Sequence, residues 1–399
     1  MSPIFRSSII VLHAILLASL LVGCGKKEAP QPATEVDKVV QPSAGTLPPR
    51  DMKIGVLGPE TGELAEYGRK TLVAAQIAVD EINDKGGISG KKLELVHMDN
   101  RNDSETTKDA MGELIRQKVV AVVANPTGWS TFGPIGLANE YHTIIISAGT
   151  RRKTGHSGGY VFRNTAPDEQ AVAEVIKYAA TKLGHKGYAL ITAMDDDYSI
   201  TLSGIFKKEI LENGGTVAVE NYAMTGVAES EGQYAELARE IKAKGGVQAI
   251  VYTGGVGAGK LLKEVRKQGV KAPLIGSEEL YAGSFLAEAG DAAIDSILFT
   301  GYMPTPEAAG FIKAYKAKAG AEPDAMAALA YDAVMLVAKA IETAGSTSPD
   351  KVQEALAHTK DYRGITGVTS YDGMGEPVKK PVLVKVTKQG SALAFAPVQ

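Results

Sequence analysis

The chain has 399 residues, 44% of them hydrophobic, and its 43 basic and 46 acidic residues leave a formal net charge of −3. This length suits two domains with a hydrophobic core in each, and the mixed charges exclude the basic surface typical of a nucleic-acid-binding protein. The only cysteine, Cys24, excludes an internal disulfide and a cysteine-based metal site.

The chain opens with a pattern typical of an export signal. Arg6 precedes an apolar run from Ile9 to Val22, which is too short to span a membrane and long enough for a signal-peptide core. The run ends in the sequence Leu21–Cys24, which resembles a bacterial lipobox. We therefore expect residues 1–24 to be a lipoprotein signal peptide, with lipidation of Cys24 after cleavage. An ordinary secretory signal with an incidental cysteine is the alternative.

Residues 25–50 are polar and contain five prolines. They show no hydrophobic periodicity and cannot bury a core. We predict a disordered linker that joins the lipid anchor to the folded part of the chain.

The folded part begins with a predicted strand, helix and second strand. The apolar run Ile54–Leu57 predicts a buried strand, the apolar residues spaced by three and four from Leu72 to Ile82 predict a helix, and Leu93–Met98 alternates like a strand. This βαβ unit indicates a parallel sheet, in which ligands bind beyond the carboxyl ends of the strands. The segment Gly58–Gly68 lies at such an end, so Tyr67 is placed where a ligand could bind.

The same alternation continues along the chain. Further helices are predicted at Asp103–Gln117, Ser130–Tyr141, Asp168–Leu183, Ser199–Glu212, Glu231–Ala243, Gly259–Gln268, Glu307–Lys318, Asp324–Ala344 and Pro349–Ala357. Further strands are predicted at Val119–Val123, Thr143–Ser147, Tyr160–Arg163, Tyr188–Thr192, Val217–Tyr222, Ala249–Thr253, Leu274–Gly276 and Val382–Thr387. Ser130 is expected to cap the helix that runs to Tyr141. Two rounds of alternation predict an α/β fold of two doubly wound lobes.

Two local motifs suggest other ligands. Gly254–Lys260 nearly matches a phosphate-binding loop between a strand and a helix, but Leu261 stands where a Ser or Thr would bind magnesium, and a plain turn is the alternative. Asp195–Asp197 lacks the alternating ligands and the glycine of a calcium loop, so capping of the next helix explains it. The histidines show no metal-like spacing and no nucleophile elbow occurs. We therefore expect no metal, no cofactor and no catalysis.

A third set of residues suits a zwitterionic ligand. A helix N-terminus within Gly128–Thr131 offers N–H groups and hydroxyls to a carboxylate, and the turn Gly149–Arg151 follows the neighbouring strand. Glu278, directly after a strand, could bind an ammonium group. Apolar flanks could come from Tyr67, Trp129 and Tyr198. Each residue also has an ordinary alternative role, as a core or lobe-contact aromatic or as a solvated carboxylate.

The order and spacing of several short pieces resemble one protein family. These pieces are Gly58–Gly62, Glu66–Gly68, Ala78–Asn83 and Lys85–Gly90, and the likeness continues to about Gly390. They resemble the type I periplasmic binding proteins, and among them the leucine/isoleucine/valine-binding branch of ABC-transporter receptors. The resemblance implies two lobes joined by a hinge of crossing strands. The implied N-terminal lobe comprises residues 51–165 and about 301–368, and the implied C-terminal lobe comprises residues 166–300 and about 369–399.

The resemblance also implies which residues bind the ligand. Tyr67 matches a tyrosine that covers the ligand, Tyr198 matches a second-lobe tyrosine that closes on it, and Glu278 matches the acid that meets its amino group. The carboxylate-binding serine of the family falls within Gly128–Ser130, and its small strand-end residue falls at Gly149.

Three departures from the family pattern affect which ligand the site would fit. Trp129 interrupts a run of small residues, the disulfide usual near the site is absent, and Arg151 stands where the family has a small hydroxyl residue, with Thr150 adjacent. The Arg151 guanidinium is expected either to face solvent beside Arg152 or to enter the cleft and bind an acceptor that the ligand supplies. The second arrangement favours a polar, acidic or aromatic ligand over a branched aliphatic one.

The function expected from this resemblance is capture of an amino acid or a related small carboxylate outside the cytoplasm. The protein would be an exported, membrane-anchored lipoprotein, periplasmic or at the cell surface, and a monomer. It would close its lobes on the ligand and then dock on the membrane subunits of an ABC permease. A ligand-sensing module of the same fold and a secreted hydrolase are the alternatives.

Overall fold

The computed structural model describes residues 48–151, 157–194, 197–226, 229–230 and 232–398. Cys24, the expected signal peptide, nearly all of the expected linker, Arg152 and the first two residues of Asp195–Asp197 lie outside these ranges. No helix in the described ranges has the length and apolar character that crossing a membrane requires.

Five parallel strands form the first sheet in the order β2-β1-β3-β4-β5. The strands are β1 (Lys53–Gly58), β2 (Glu94–Asp99), β3 (Ala121–Ala124), β4 (Ile144–Ser147) and β5 (Val161–Arg163). The helices between them are α1 (Ala65–Asp84), α2 (Ser104–Arg116), α3 (Gly128–Phe132) and α4 (Ile135–Glu140). β3 and β4 are wholly buried, as expected for parallel strands covered on both faces.

Seven strands form the second sheet in the order β15-β14-β10-β9-β8-β6-β7. They are β6 (Gly187–Ala193), β7 (Thr216–Ala223), β8 (Ala249–Tyr252), β9 (Leu274–Gly276), β10 (Ile297–Thr300), β14 (Val382–Gln389) and β15 (Ala392–Pro397). The associated helices are α5 (Asp168–Thr181), α6 (Asp197–Glu212), α7 (Gln233–Lys244), α8 (Ala258–Lys267) and α9 (Gly283–Ala289). The first five strands pair in parallel, and β14 and β15 extend the sheet antiparallel.

The later part of the chain packs against the first sheet. It contains α10 (Ala309–Ala319), α11 (Ala325–Ala344), α12 (Pro349–Ala357) and a small antiparallel sheet of β11 (Tyr362–Gly364), β12 (Gly367–Tyr371) and β13 (Pro377–Val378). Residues from Tyr302 to Tyr371 share one hydrophobic core with β1, β3 and α1. Two other cores cover the two faces of the second sheet.

The predicted α/β class with two doubly wound lobes is therefore confirmed, and the element boundaries differ from the predicted ones by a few residues. The predicted helix Ser130–Tyr141 is wrong as a single element. It divides into α3 and α4 at Gly133 and Pro134, because proline lacks the N–H group that a continuous helix needs. Ser130 lies inside α3 and is not its N-cap, which is Thr127. The small sheet around β12 and the last strand, β15, were not predicted.

Candidate ligand-binding site

A cavity of about 420 Å³ lies where the carboxyl ends of both sheets meet. Residues that follow β3 and β4 of the first sheet line one side of it: Pro126, Gly128, Gly149, Thr150 and Arg151. Residues that follow β6 and β9 of the second sheet line another: Tyr198, Glu278 and Glu279. A third wall is apolar and comes from α3 and α11: Phe132, Ala325, Met326 and Leu329. The cavity is thus a cleft with polar groups from both sheets and an apolar wall.

Hydrogen bonds from the end of β5 fix the loop after β4. Gly149 has a φ of +109°, which glycine adopts without strain. Fully buried Arg163, at the end of β5, donates from Nη1 to the carbonyl oxygen of Arg151 at 2.9 Å and to that of Thr150 at 3.4 Å. The Nε of Arg163 donates to Oε2 of Glu376 at 2.7 Å. These bonds hold the backbone of Thr150 and Arg151 at the cleft.

Arg151 and Glu278 form a bidentate ion pair in the cleft. Nε of Arg151 donates to Oε1 of Glu278 at 2.9 Å, and Nη2 donates to Oε2 at 2.7 Å. Nη1 of Arg151 donates to the carbonyl oxygen of Ala166 at 3.3 Å, and the guanidinium carbon lies 5.2 Å from the ring centre of Phe299. The Arg151 side chain is 4% exposed and the Glu278 side chain is 26% exposed. The pair therefore joins residues that follow β4 of the first sheet and β9 of the second.

The charges of this pair stabilise each other. Burial by itself raises the pKa of Glu278, but the charge and hydrogen bonds of Arg151 bring that pKa below its ordinary value. Burial likewise opposes the charge of Arg151, and Glu278 raises the pKa of the guanidinium above its ordinary value. Both groups are charged at neutral pH. This arrangement is neither of the two expected from the sequence, since the protein itself supplies the acceptor for Arg151.

A second polar contact lies beside the pair. The hydroxyl of Tyr198 donates to Oδ1 of Asp168 at 3.0 Å, and Asp168 is buried in the first turn of α5. Burial raises the pKa of Asp168 to about 6, although the charge of Arg151 works in the opposite direction. Burial also raises the pKa of Tyr198. Asp168 was not predicted as a site residue, because an acid in the first turn of a helix is an ordinary dipole partner.

The relatives of the chain agree with a ligand-binding cleft. Residues 51–391 match the family of periplasmic binding proteins. The chain belongs to this family. This family consists of exported solute-binding proteins of transporters, and not of enzymes.

Three relatives illustrate how far the similarity of this periplasmic binding protein extends. The leucine-, isoleucine-, valine-, threonine-, and alanine-binding protein of Pseudomonas aeruginosa is 29% identical over 333 residues, which cover 82% of this chain and 87% of that protein. A branched-chain amino acid transporter substrate binding protein of Streptococcus pneumoniae, crystallised in complex with isoleucine, is 30% identical with a TM-score of 0.69, covering 87% of this chain and 99% of that one. A putative branched-chain amino acid ABC transporter protein from Rhodospirillum rubrum shares the fold, with a TM-score of 0.76, 23% identity, and coverage of 86% of this chain and 99% of that one.

The nine residues predicted to bind ligand divide into two groups in this periplasmic binding protein. Six line the cavity: Gly128, Gly149, Thr150, Arg151, Tyr198 and Glu278. The other three, Tyr67, Trp129 and Ser130, are not among its lining residues. Tyr67 and Trp129 are 45% and 46% exposed, and Ser130 is buried and hydrogen-bonded to Asn100 and Thr127. Ligand contacts by any of the nine stay a prediction.

The alternative motifs have structural explanations. Gly257 has a φ of +86°, and a Cβ at this position would lie 1.9 Å from the hydroxyl of Tyr234, so the loop before α8 requires glycine for close packing. Lys260 bonds to both oxygens of Glu229, at 2.8 and 2.9 Å. In the described ranges, no group of three His, Cys, Asp or Glu side chains could hold a metal ion.

The raised pKa of Asp168 gives a testable pH dependence. A carboxyl whose folded-state pKa is raised to about 6 from its ordinary 3.8 adds stability that is complete below about pH 4 and is lost as the pH rises through 6. Relative to Asp168→Asn, the wild type should therefore lose about 2–3 kcal/mol of unfolding free energy between pH 4 and pH 7. Urea unfolding of both proteins across this range measures the difference. Exposed Asp197→Asn is the control, and parallel profiles for wild type and Asp168→Asn would disprove the expectation.

Proposed function

We propose that this periplasmic binding protein is the substrate-binding component of an ABC transporter and captures an amino acid or a related small carboxylate. The observation that carries the proposal is the cavity of about 420 Å³ lined by strand ends of both sheets. Ligands of parallel α/β sheets bind at that end, and such a volume fits a small molecule. The ligand class is supported by two relatives, one named for binding five amino acids and one crystallised with isoleucine.

In this proposal, the protein captures its ligand by closing two lobes around it. Residues 51–165 and about 301–368 form one lobe, and residues 166–300 and about 369–399 form the other. The proposed division is supported by the hydrophobic cores, since the core of the first sheet includes residues from Tyr302 to Ala357 and the other two cores cover the second sheet. The ligand binds between the lobes, and closure buries it before the protein docks on the permease.

The proposed roles of the residues follow from their chemistry. The carboxylate of the ligand is bound by backbone N–H groups of the first residues of α3, since the first N–H groups of a helix lack partners within it, and by Thr150. Gly149, which has no side chain, lets the ligand approach the backbone closely. Tyr198 and the pair of Arg151 and Glu278 form the polar side of the cleft. Tyr67, Trp129 and Ser130 are proposed to complete the first-lobe side when the lobes close on the ligand.

A thermal-shift screen tests this function. A soluble version that begins at residue 48 keeps the bonds of Arg50 to Thr347 and Tyr141. It is screened against amino acids and small carboxylic acids, with sugars and nucleotides as controls. A ligand at a hundred times its Kd adds about 2.7 kcal/mol to the unfolding free energy. Stabilisation only by the control compounds, or by no compound, would contradict the proposed ligand class.

We also propose that Cys24 is lipidated and anchors the protein to a membrane. The support is the lipobox-like sequence Leu21–Cys24 after an apolar run, and two or more acyl chains give stable membrane attachment. Cys24→Ala should release the protein from the membrane fraction and abolish labelling with a radioactive fatty acid. Ser19→Ala, in the same apolar run, is the control. Unchanged fractionation and labelling of Cys24→Ala would show an ordinary export signal.

A further inference from the structure

The ion pair in the cleft leaves Glu278 little capacity to accept another cation. An ionised carboxylate has about four acceptor positions. Oε1 of Glu278 accepts from Nε of Arg151 at 2.9 Å, and Oε2 accepts from Nη2 of Arg151 at 2.7 Å and from the backbone N–H of Gly301 at 3.1 Å. Three positions are thus filled, and the negative charge is matched by a guanidinium. A ligand ammonium would meet a carboxylate that is already neutralised.

The other carboxylates near the cleft are poorly suited to bind a ligand ammonium in place of Glu278. Glu279 lines the cavity but is exposed to water, so an ion pair with it is screened. Asp168 accepts a hydrogen bond from Tyr198 and is not a lining residue. An ammonium is strongly hydrated and must be paired when it leaves water. The cleft gives it no buried, unpaired carboxylate among the described lining residues.

Arg151 keeps capacity to bind an anion. A guanidinium has five N–H donors. In Arg151, two of these N–H donors bond to Glu278 and a third bonds to the carbonyl oxygen of Ala166. Within the described residues, one N–H on Nη1 and one on Nη2 have no acceptor. Neighbouring N–H groups of this kind suit a carboxylate.

The apolar wall of the cavity determines the rest of the ligand. Phe132, Ala325, Met326 and Leu329 line it, and none carries a polar side chain. A ligand that fills the cavity therefore places an apolar body against this wall and its polar end near Arg151. A second charged group on the body would be buried without a partner.

We propose that the cleft selects small monocarboxylates with an apolar body and without an ammonium group beside the carboxylate. Arg151 is the specificity-determining residue, because it holds Glu278 in an ion pair and keeps it from an ammonium. The inference rests on the proposed function, since it narrows the ligand class of the same cleft.

Calorimetry with matched ligand pairs tests the selectivity. Leucine is compared with 4-methyl-2-oxopentanoate, and phenylalanine with phenylpyruvate, because each pair differs only in an ammonium or an oxo group. We expect the oxo acid of at least one pair to bind wild-type protein at least a hundredfold more tightly than its amino acid. Equal or tighter binding of the amino acid overturns the inference and leaves the proposed function intact. Binding of no compound from either pair overturns the inference, and the thermal-shift screen then decides whether the proposed function stands.

Variants of Arg151 test whether its ion pair with Glu278 causes this selectivity. Arg151→Met frees Glu278 and should raise the affinity for the amino acid at least tenfold while lowering that for the oxo acid. Arg151→Lys keeps the charge and should retain the preference for the oxo acid. Exposed Arg239→Met is the matched control and should change neither affinity. Circular dichroism checks whether each variant folds. If Arg151→Met does not fold, the ratio of oxo-acid to amino-acid affinity in the wild type and in Arg151→Lys tests the role of Arg151. Unchanged selectivity in folded Arg151→Met contradicts the assigned role.

Discussion

Replacement of Glu278 by leucine is expected to lower the free energy of unfolding by about 3 kcal/mol. The change leaves the Arg151 guanidinium, whose side chain is 4% exposed, without its charged acceptor, and loss of one partner of a buried pair costs roughly 3–5 kcal/mol. The lower end of this range applies because the Glu278 side chain is 26% exposed to the cleft. Urea unfolding at neutral pH measures the loss.

Two further variants separate the ion pair from its surroundings. The double variant Arg151→Met with Glu278→Leu should recover most of the lost stability, because a buried pair replaced by apolar residues is often neutral in stability. Glu279→Leu changes the adjacent, exposed glutamate and should shift stability by less than about 0.5 kcal/mol. A Glu278→Leu protein as stable as Glu279→Leu would mean that Arg151 is satisfied by other groups.

The fold was predictable because its signals are local. Apolar spacing along α1 and the continuous apolar runs of β3 and β4 depend on residues close in sequence, and the βα alternation then specifies a parallel sheet. The division into α3 and α4 was also visible locally, since Gly133 and Pro134 interrupt the helical pattern. Edge strand β15 is harder to predict, because its partly exposed residues show no clear alternation of burial.

The candidate site was predictable only in position. The ends of β3, β4 and β9 indicate where Gly128, Gly149, Arg151 and Glu278 lie, because parallel strands end at the same edge. The sequence does not show that Arg151 pairs with Glu278, since 127 positions separate them and no local pattern links them. For the same reason, the role of Arg163, which bonds to a residue 213 positions away, could not be foreseen.

A buried polar network behind the cleft depends on Asp332 of α11. Its Oδ1 accepts from the backbone N–H of Ile365 at 3.0 Å, and its Oδ2 accepts from the N–H of Thr366 at 2.8 Å and from the Thr366 hydroxyl. Nζ of Lys379 donates to that hydroxyl at 2.6 Å and to the carbonyl oxygen of Asn164 at 3.0 Å. The network joins the segment after β5 to the turn before β12 and to the segment after β13.

Asp332→Ala is expected to lower the free energy of unfolding by about 3–5 kcal/mol at pH 6, because it removes the nearby counter-charge of buried Lys379 and leaves three donors unbonded. Burial already lowers the pKa of Lys379 to about 8, while Asp332 opposes this shift. The pKa of Lys379 should fall further in the variant, so Lys379 sheds its proton at a lower pH than in the wild type. The deficit in unfolding free energy of Asp332→Ala relative to the wild type has one part due to charge and one due to lost hydrogen bonds. The charge part should therefore shrink as the pH rises from 6 to about 8, and the hydrogen-bond part should remain.

Urea unfolding at pH 6 and pH 8.5 measures both parts of the Asp332→Ala deficit. Asp332→Asn removes the charge but keeps one of the two acceptor oxygens, so its deficit at pH 8.5 should be smaller than that of Asp332→Ala. Asp84→Ala, at an exposed position at the end of α1, is the control for losing an aspartate and should remain within about 0.5 kcal/mol of the wild type. An Asp332→Ala deficit that is independent of pH would mean that the charge of Asp332 does not change the pKa of Lys379, so that the network is held by hydrogen bonds and not by an ion pair.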